Sequence, residues 1–172
     1  DLDPDLQRHL QAAREAALHA WSRVHHFHRG DFEVHQKDQG PATDADRLAD
    51  KVIVETLAAE FPRETYGYLS EEFENDLARL ERSRVWLIDP IDGTVDFIKG
   101  RDDFAIHIAM TEADADGEHR LAVAVVYHPR GGALYSATRG GGAFVERELA
   151  PDGQEYWWET DEEPRFAPPE RL

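Results

Sequence analysis

The sequence predicts an α+β fold in which N-terminal helices pack on an antiparallel meander sheet. Apolar residues recur every three or four positions in the first sixty residues, which is typical of amphipathic helices. After residue 100 they alternate with polar or small residues, which is typical of strands with one buried face. Short turns separate these later strands, and this favours hairpins over the βαβ units of a parallel sheet.

The first predicted helix covers about residues 5–26. One face carries its apolar residues, which are Leu6, Leu10, Ala13, Ala17, Trp21 and Val24. We expect Gly30 to end this segment, residues 32–34 to form a short strand and residues 37–41 to form a turn, because the last contains Gly and Pro.

A second helix is predicted to begin at Thr43 or Asp44, either of which can cap it, and to end before Pro62. Its apolar face consists of Leu48, Val52, Ile53, Leu57 and Phe61. The sequence then indicates an extended segment at 66–69 and a short polar helix at 74–82.

The apolar run at 85–88 predicts a buried strand that ends at Asp89 and Pro90. The meander follows, with strands predicted at 104–110, 121–127, 133–138 and 143–146. The last twenty residues show no clear periodicity. We therefore expect an α+β domain at 1–147 and an irregular extension at 148–172.

The charge and composition exclude several classes of protein. The 172 residues include 19 basic and 36 acidic ones, a net charge of −17, which argues against binding nucleic acid polymers or anionic membranes. Because cysteine is absent, disulfides, thiolate zinc sites and cysteine nucleophiles are excluded. No apolar run approaches the roughly 18 residues of a membrane span, and the N-terminus lacks a signal-peptide pattern. A cytoplasmic protein is therefore expected.

The most informative segment runs from Asp89 to Thr94. A carboxylate that closes a buried apolar strand is costly unless it is paired or bound to a metal. Asp89 and Asp92 lie three residues apart across a predicted turn and can converge on one hard cation, with the Ile91 carbonyl as a further oxygen ligand. Gly93 and Thr94 then open a short helix whose N–H groups can face an anion.

Two further acidic clusters lie at the ends of predicted elements. Glu71 and Glu72 follow a strand, and Asp44 and Asp46 begin the second helix. The simpler interpretation makes the aspartates helix caps and the glutamates surface residues. Like the cluster at Asp89, however, both lie at the ends of elements, where a rigid scaffold can aim them, and this keeps the alternative of a metal site open.

Three motifs together resemble the inositol monophosphatase superfamily of magnesium-dependent, lithium-sensitive phosphatases. They are Thr-Asp-Ala-Asp at 43–46, Leu-Ser-Glu-Glu at 69–72 and Trp-Leu-Ile-Asp-Pro-Ile-Asp-Gly-Thr at 86–94. The resemblance extends from about residue 10 to about residue 147, and it implies the N-terminal part of the layered sugar-phosphatase fold.

Within the superfamily, the segments 37–43 and 96–100 resemble most the 3′(2′),5′-bisphosphate nucleotidases. The resemblance therefore implies removal of the 3′-phosphate from adenosine 3′,5′-bisphosphate, a small phosphorylated substrate. Inositol monophosphatases usually carry Asn where Asp96 stands and a proline soon after, and this chain has neither. An inositol monophosphatase-type enzyme is the alternative.

The resemblance implies two or three Mg²⁺ ions as cofactors. Glu71, Asp89 and the Ile91 carbonyl would hold the first ion, and Asp89 and Asp92 the second. Glu72 would support Glu71 or a weaker third ion. Such metal pairs lie roughly 3.5–4 Å apart and stabilise both the entering and the leaving oxygen of the reaction.

The resemblance also assigns the catalytic and phosphate-binding residues. The Thr94 hydroxyl, backed by Asp46, would orient and deprotonate the attacking water, and the Gly93 and Thr94 N–H groups would cradle the phosphate. Lys99 and Arg101 could meet a second phosphate, although charges that only solvate a loop explain them more simply.

One departure from the family pattern concerns the second ion. Relatives take a further aspartate from a Trp-Asp motif in their second half, and no Trp-Asp occurs here. We therefore expect the N-terminal part of the enzyme, with a non-catalytic metal-binding fragment as the alternative. Zinc at His25, His26 and His28 is a weaker hypothesis, because successive side chains on a helix diverge. A homodimer is compatible with either reading.

Overall fold

The computed structural model describes residues 3–29, 34–37, 40–72, 77–149 and 164–172. The helices are α1 (Pro4–Val24), α2 (Asp44–Glu60) and α3 (Thr94–Ile98), with short 3-10 helices at His25–Arg29, Leu77–Glu81 and Pro129–Gly131. The strands are β1 (Val34–Lys37), β2 (Gly40–Thr43), β3 (Gly67–Ser70), β4 (Arg84–Asp92), β5 (Ala105–Ala113), β6 (His119–His128), β7 (Ala133–Thr138), β8 (Gly142–Leu149), β9 (Arg165–Phe166) and β10 (Glu170–Arg171).

Helix α1 begins where the sequence predicts. The Asp3 side chain accepts the N–H of Asp5 at 3.0 Å, and Pro4 occupies the first turn, where its missing N–H costs nothing. The predicted face is buried except for Leu10, which is half-buried. Most of the remaining contact surface is alanine, which lets α1 pack closely on α2 and β6. The predicted end at Gly30 lies outside the described residues.

Thr43, and not Asp44, caps helix α2. The Asp46 N–H donates to the Thr43 hydroxyl at 3.2 Å, and the Asp46 carboxylate accepts the Thr43 N–H at 2.7 Å, which makes a reciprocal capping box. The extended backbone of Thr43 allows this geometry, whereas Asp44 is already the first helical residue. The expectation that Asp44 serves as the cap is therefore wrong.

The large sheet has the strand order β10-β8-β7-β6-β5-β4-β3, and β9 also pairs with β8. Strands β5 to β8 form the predicted antiparallel meander, β4 extends it by pairing antiparallel with β5, and the α+β fold class is confirmed. Strand β3 differs, because it pairs with β4 in the parallel direction. The predicted polar helix between them is observed only as the 3-10 helix Leu77–Glu81, since residues 73–76 lie outside the description.

Strand β4 does not end at Asp89 and Pro90 as predicted, but continues to Asp92. Asp89 lies opposite His107 and Asp92 opposite Ala105, so β4 contains one more residue than β5 over this stretch. This is a β-bulge, and a bulge tolerates proline because one residue leaves the hydrogen-bond ladder. The bulge therefore carries the strand through the proline.

The two faces of the sheet have different surroundings. Helices α1 and α2 cover one face, where Trp86, Ile108 and Met110 are buried in the core. Side chains alternate along each strand, so every second residue points to the other face, which we call the outer face. Asp89 and His107 lie opposite each other on the outer face. No helix in the described part of the chain is long and apolar enough to span a membrane.

Candidate active site

The Asp46 carboxylate lies at the start of α2 and is almost completely buried. Its Oδ2 accepts hydrogen bonds from the N–H and the hydroxyl of Thr43, and its Oδ1 lies 3.1 Å from the Thr94 hydroxyl. Burial raises the pKa of Asp46, and the hydrogen bonds from Thr43 and Thr94 oppose that effect. We call Asp46, Thr43 and Thr94 the Asp46 group, in which both carboxylate oxygens have partners.

The turn before Thr94 requires glycine. Gly93 has φ of +94°, and a Cβ there would lie 2.6 Å from the Asp103 carbonyl oxygen. Helix α3 starts directly after it, as predicted. The Thr94 hydroxyl also lies 3.0 Å from the Ile91 carbonyl oxygen, so its single proton is shared between that oxygen and Asp46.

Glu71, Asp89 and Asp92, which we call the Asp89 group, form the second cluster of carboxylates. Burial and the nearby charges of Glu71 and Asp92 raise the pKa of Asp89 to about 7. A hydrogen bond with Glu71 and the charge of Asp46 act in the same direction. The Glu71 N–H donates to the Ile88 carbonyl at 3.3 Å, which holds the end of β3 beside β4. The structure therefore brings these three residues close to Asp46.

The chemistry of the Asp89 group fits a hard divalent cation. Asp89 Oδ1 is buried, and no described residue donates a hydrogen bond to it. Such an oxygen is costly unless a cation or donor meets it. Carboxylate and carbonyl oxygens are the ligands that Mg²⁺ prefers. In the described residues, however, no three His, Asp or Glu side chains stand in an arrangement that could hold a metal ion.

Comparison with known proteins identifies the family. The sequence profile described as the inositol monophosphatase family matches residues 1–163. The chain belongs to this family.

Three relatives show how far the similarity of this family member extends. Histidinol-phosphatase of Chlorobaculum parvum is 36% identical over 145 residues, covering 84% of this chain and 51% of that protein. The 3′-phosphoadenosine 5′-phosphate phosphatase of Mycobacterium bovis is 45% identical over 92 residues, covering 52% of this chain and 34% of that protein. The chain spans about half or less of these curated relatives.

The third is a crystal structure of CysQ from Bacteroides thetaiotaomicron, described as a bacterial member of the inositol monophosphatase family. It has 30% identity and a TM-score of 0.67, and the match covers 94% of this chain and 58% of that chain. The fold described above is therefore that of the inositol monophosphatase family, over a little more than half the length of this structure.

Glu72 lies close enough to the Asp46 group to affect it. Its charge contributes to the raised pKa of Asp46, although burial has the largest effect. The Glu72 N–H lies 3.4 Å from the Ser70 hydroxyl. In this inositol monophosphatase family member, Glu72 therefore lies near the Asp46 group.

Sequence reasoning missed two residues of the site, Asp50 and His107. Asp50 is fully buried on α2 and accepts a hydrogen bond from the Ser70 hydroxyl. His107 lies on β5 with its Nε2 3.6 Å from Asp92 Oδ2. The signals were the spacing of four between Asp46 and Asp50, and the place of His107 among the outward residues of an alternating strand.

The positive charges after α3 fit the simpler interpretation. Arg101 Nη1, in the loop after α3, lies 2.9 Å from Oδ1 of Asp96 on that helix. Lys99 ends α3 and is exposed. The contact between Arg101 and Asp96 involves no residue of the Asp46 group or the Asp89 group.

A groove of about 630 Å³ opens on the outer face of strands β3 to β6. Its polar lining includes Ser70, Glu71, Asp89 and His107, and its apolar lining includes Leu69, Leu87 and Val126. Glu71 and Asp89 thus meet open space on one side, where a ligand can approach.

Proposed function

We propose that this chain contributes the first metal-binding half of a magnesium-dependent phosphate monoester hydrolase. The observation that carries the proposal is the convergence of Glu71, Asp89 and Asp92 beside Asp46, with a buried Asp89 oxygen that no described residue satisfies. A phosphate monoester resists attack because its negative charges repel an incoming oxygen. A phosphatase must therefore supply positive charge and position a nucleophile.

The residues that would hold Mg²⁺ are those of the Asp89 group. Glu71, Asp89 and the Ile91 carbonyl would hold the first ion, Asp89 and Asp92 the second, and Glu72 supports Glu71 or a third ion. When bound, Mg²⁺ supplies the positive charge that this acidic chain lacks near the phosphate.

The Asp46 group would orient the attacking water and accept its proton. Thr94 can accept a hydrogen bond from the attacking water while its own proton points to Asp46 Oδ1, 3.1 Å away. Because burial raises the pKa of Asp46, its carboxylate is a stronger base than an exposed one. Thr43 holds the other carboxylate oxygen in place.

The start of α3 would bind the phosphate. The first N–H groups of a helix lie outside its internal hydrogen-bond ladder, and the Gly93 and Thr94 N–H groups occupy this position. A side chain at residue 93 would collide with the Asp103 carbonyl oxygen, so this turn requires glycine. Because glycine has no side chain, it also leaves its own N–H open to the phosphate.

Adenosine 3′,5′-bisphosphate is the substrate that we propose. The segments 37–43 and 96–100 support it by resemblance, and the M. bovis relative is named for the same compound under its other name, 3′-phosphoadenosine 5′-phosphate. The C. parvum relative covers more of this chain and is named for another phosphate ester, so the substrate test needs that ester as well.

The substrate test uses a longer protein that carries this chain. We expect kcat/KM for adenosine 3′,5′-bisphosphate to exceed that for inositol 1-phosphate and for histidinol phosphate by at least about tenfold, or about 1.4 kcal/mol of transition-state stabilisation. A preference for either of the other two esters would overturn the substrate proposal and leave the phosphatase proposal intact.

The phosphatase proposal has its own test in the same protein. Asp92→Asn removes a charge at nearly constant shape, and we expect it to abolish turnover while the protein stays folded. Asp116→Asn, at an exposed turn, serves as the control. Near-normal activity of Asp92→Asn at saturating Mg²⁺ would contradict the metal assignment.

The 172-residue chain by itself separates this proposal from a purely metal-binding role. We expect it to bind Mg²⁺ but to release little phosphate, since the resemblance assigns a further aspartate to the second ion. If the longer protein also binds Mg²⁺ without releasing phosphate from any of the three esters, the non-catalytic alternative is correct.

A further inference from the structure

Helix α2 carries a second buried carboxylate that the proposed reaction does not use. Asp50 follows Asp46 by one helical turn, and its side chain is completely buried. Burying a carboxylate costs free energy. The buried positions beside it on α2 carry the apolar residues Ala49 and Ile53, so an apolar side chain would also fill a buried position on this helix. Asp50 therefore needs an explanation other than packing.

One partner of Asp50, Ser70, lies directly before the glutamates of the site. The Ser70 hydroxyl donates to Asp50 Oδ1, and Ser70 is the last residue of β3. The same hydroxyl oxygen lies 3.4 Å from the N–H of Glu72. Because a hydroxyl has one proton and two lone pairs, giving the proton to Asp50 turns a lone pair towards Glu72.

Asp46 and Asp50 act on two different segments from the same helix. Residues four apart lie on one face of a helix, about 6 Å apart along its axis. Asp46 accepts from Thr94, and Asp50 accepts from Ser70. The rigid helix therefore sets the distance between the segment that carries Thr94 and the segment that carries Glu71 and Glu72.

We propose that Asp50 is a positioning residue that acts through Ser70 to orient Glu71 and Glu72 towards the cation site. This inference rests on the proposed function for the role of the cation, but its structural part can be tested without any metal. Residues that orient metal ligands typically affect metal affinity by 10–100-fold.

The first measurement uses the 172-residue chain and Mn²⁺ as the probe, with free Mn²⁺ followed by electron paramagnetic resonance. We expect Ser70→Ala and Asp50→Ala each to weaken Mn²⁺ binding at least about tenfold, and the double variant to be no weaker than either single one. Asp50→Asn keeps an oxygen acceptor and should restore affinity to within about threefold of wild type. Ser136→Ala, at a buried serine on β7, is the matched control and should change nothing.

The second measurement needs no metal. Amide hydrogen exchange at Glu72 should accelerate at least about tenfold in Ser70→Ala, while exchange at Ala16 in the core of α1 stays unchanged. A merely structural role would accelerate both sites together. If Asp50→Ala fails to fold, Ser70→Ala carries the test, because it removes one hydroxyl and leaves α2 intact.

The outcomes separate the two proposals. A wild-type chain that does not bind Mn²⁺ overturns the metal assignment, while exchange at Glu72 still decides the positioning role. Unchanged exchange at Glu72 in Ser70→Ala overturns the positioning role. An Asp50→Asn variant that binds Mn²⁺ as weakly as Asp50→Ala overturns the hydrogen-bond route.

Discussion

The Asp46 group and the Asp89 group are neighbours, but their buried carboxylates differ in how many hydrogen-bond donors they have. In the Asp46 group, both oxygens of the buried carboxylate accept hydrogen bonds from Thr43 or Thr94. In the Asp89 group, a partly buried carboxylate faces two like charges and keeps one buried oxygen without a described donor. The same residue type therefore has donors for both oxygens in one place and keeps one buried oxygen without a described donor in the other.

This difference in hydrogen bonding predicts that the two groups respond to different changes. Donors that belong to the chain fix Asp46, so it can act at a constant position whether or not a ligand is bound. The Asp89 group instead stores repulsion that a cation would relieve. Stability should consequently respond to mutation in the first group and to cations and pH in the second.

The largest expected effect is the loss of Asp46. We expect Asp46→Ala to lower the free energy of unfolding by about 2–4 kcal/mol, because it removes the capping box and leaves the Thr43 N–H buried without its acceptor. Urea denaturation measures this. Glu55→Ala changes an exposed acid on the same helix and should cost less than about 0.5 kcal/mol. Equal losses in the two variants would show that the Asp46 group is not a stabilising unit.

The second prediction concerns the cation. At a hundredfold excess over its dissociation constant, Mg²⁺ should stabilise the chain by roughly 2.7 kcal/mol, a rise in Tm of about 5–10 °C at constant ionic strength. Asp89→Asn should lose most of this rise, whereas Asp116→Asn should keep it. The comparison of the two groups fails if wild type shows no thermal shift with Mg²⁺.

The third prediction follows from the pKa of Asp89, which is raised to about 7. The folded chain then binds the Asp89 proton more tightly than the unfolded chain does. The contribution of this proton to the free energy of unfolding is therefore full below about pH 4 and is lost as the pH rises through about 7. Relative to wild type, Asp89→Asn should gain about 1–2 kcal/mol between pH 4 and pH 7, a figure reduced for the partial solvent access of Asp89. Urea denaturation in a metal chelator measures it. Parallel pH profiles of the two proteins would rule out a raised pKa.

The smallest effect is expected at Thr94. Thr94→Val removes the hydroxyl that links Asp46 to the Ile91 carbonyl and should cost about 1 kcal/mol of unfolding free energy. Thr94→Ser keeps the hydroxyl and should lose less than half as much in the same urea denaturation assay. A serine variant as unstable as the valine variant would assign the loss to the missing methyl group instead.

Several parts of the site could be predicted from the sequence because they depend on local patterns. The two residues of the capping box, Thr43 and Asp46, lie only three positions apart in the sequence. The turn at Gly93 requires an amino acid that tolerates positive φ, and the following Thr94 begins α3 as expected. The metal and catalytic roles of these residues stay predictions, although the structure places the side chains near one another.

Other parts could not be predicted, since their partners are distant in the chain. Ser70 meets Asp50 across twenty residues, and Thr94 meets Asp46 across forty-eight. Only the packing of α2 against the sheet selects these pairs. His107 became part of the site because the register of β5 on β4 places it opposite Asp89.

The sequence by itself determined the helical and strand periods, the α+β class and the motif that ends in Gly93 and Thr94, because each depends on short-range sterics and on the burial of one face. The tertiary structure decided that β4 passes through Pro90 in a bulge and that β3 lies parallel to it. It also decided which carboxylates are satisfied. Strand pairing and buried hydrogen bonds depend on groups brought together by folding, and a local pattern does not contain that information.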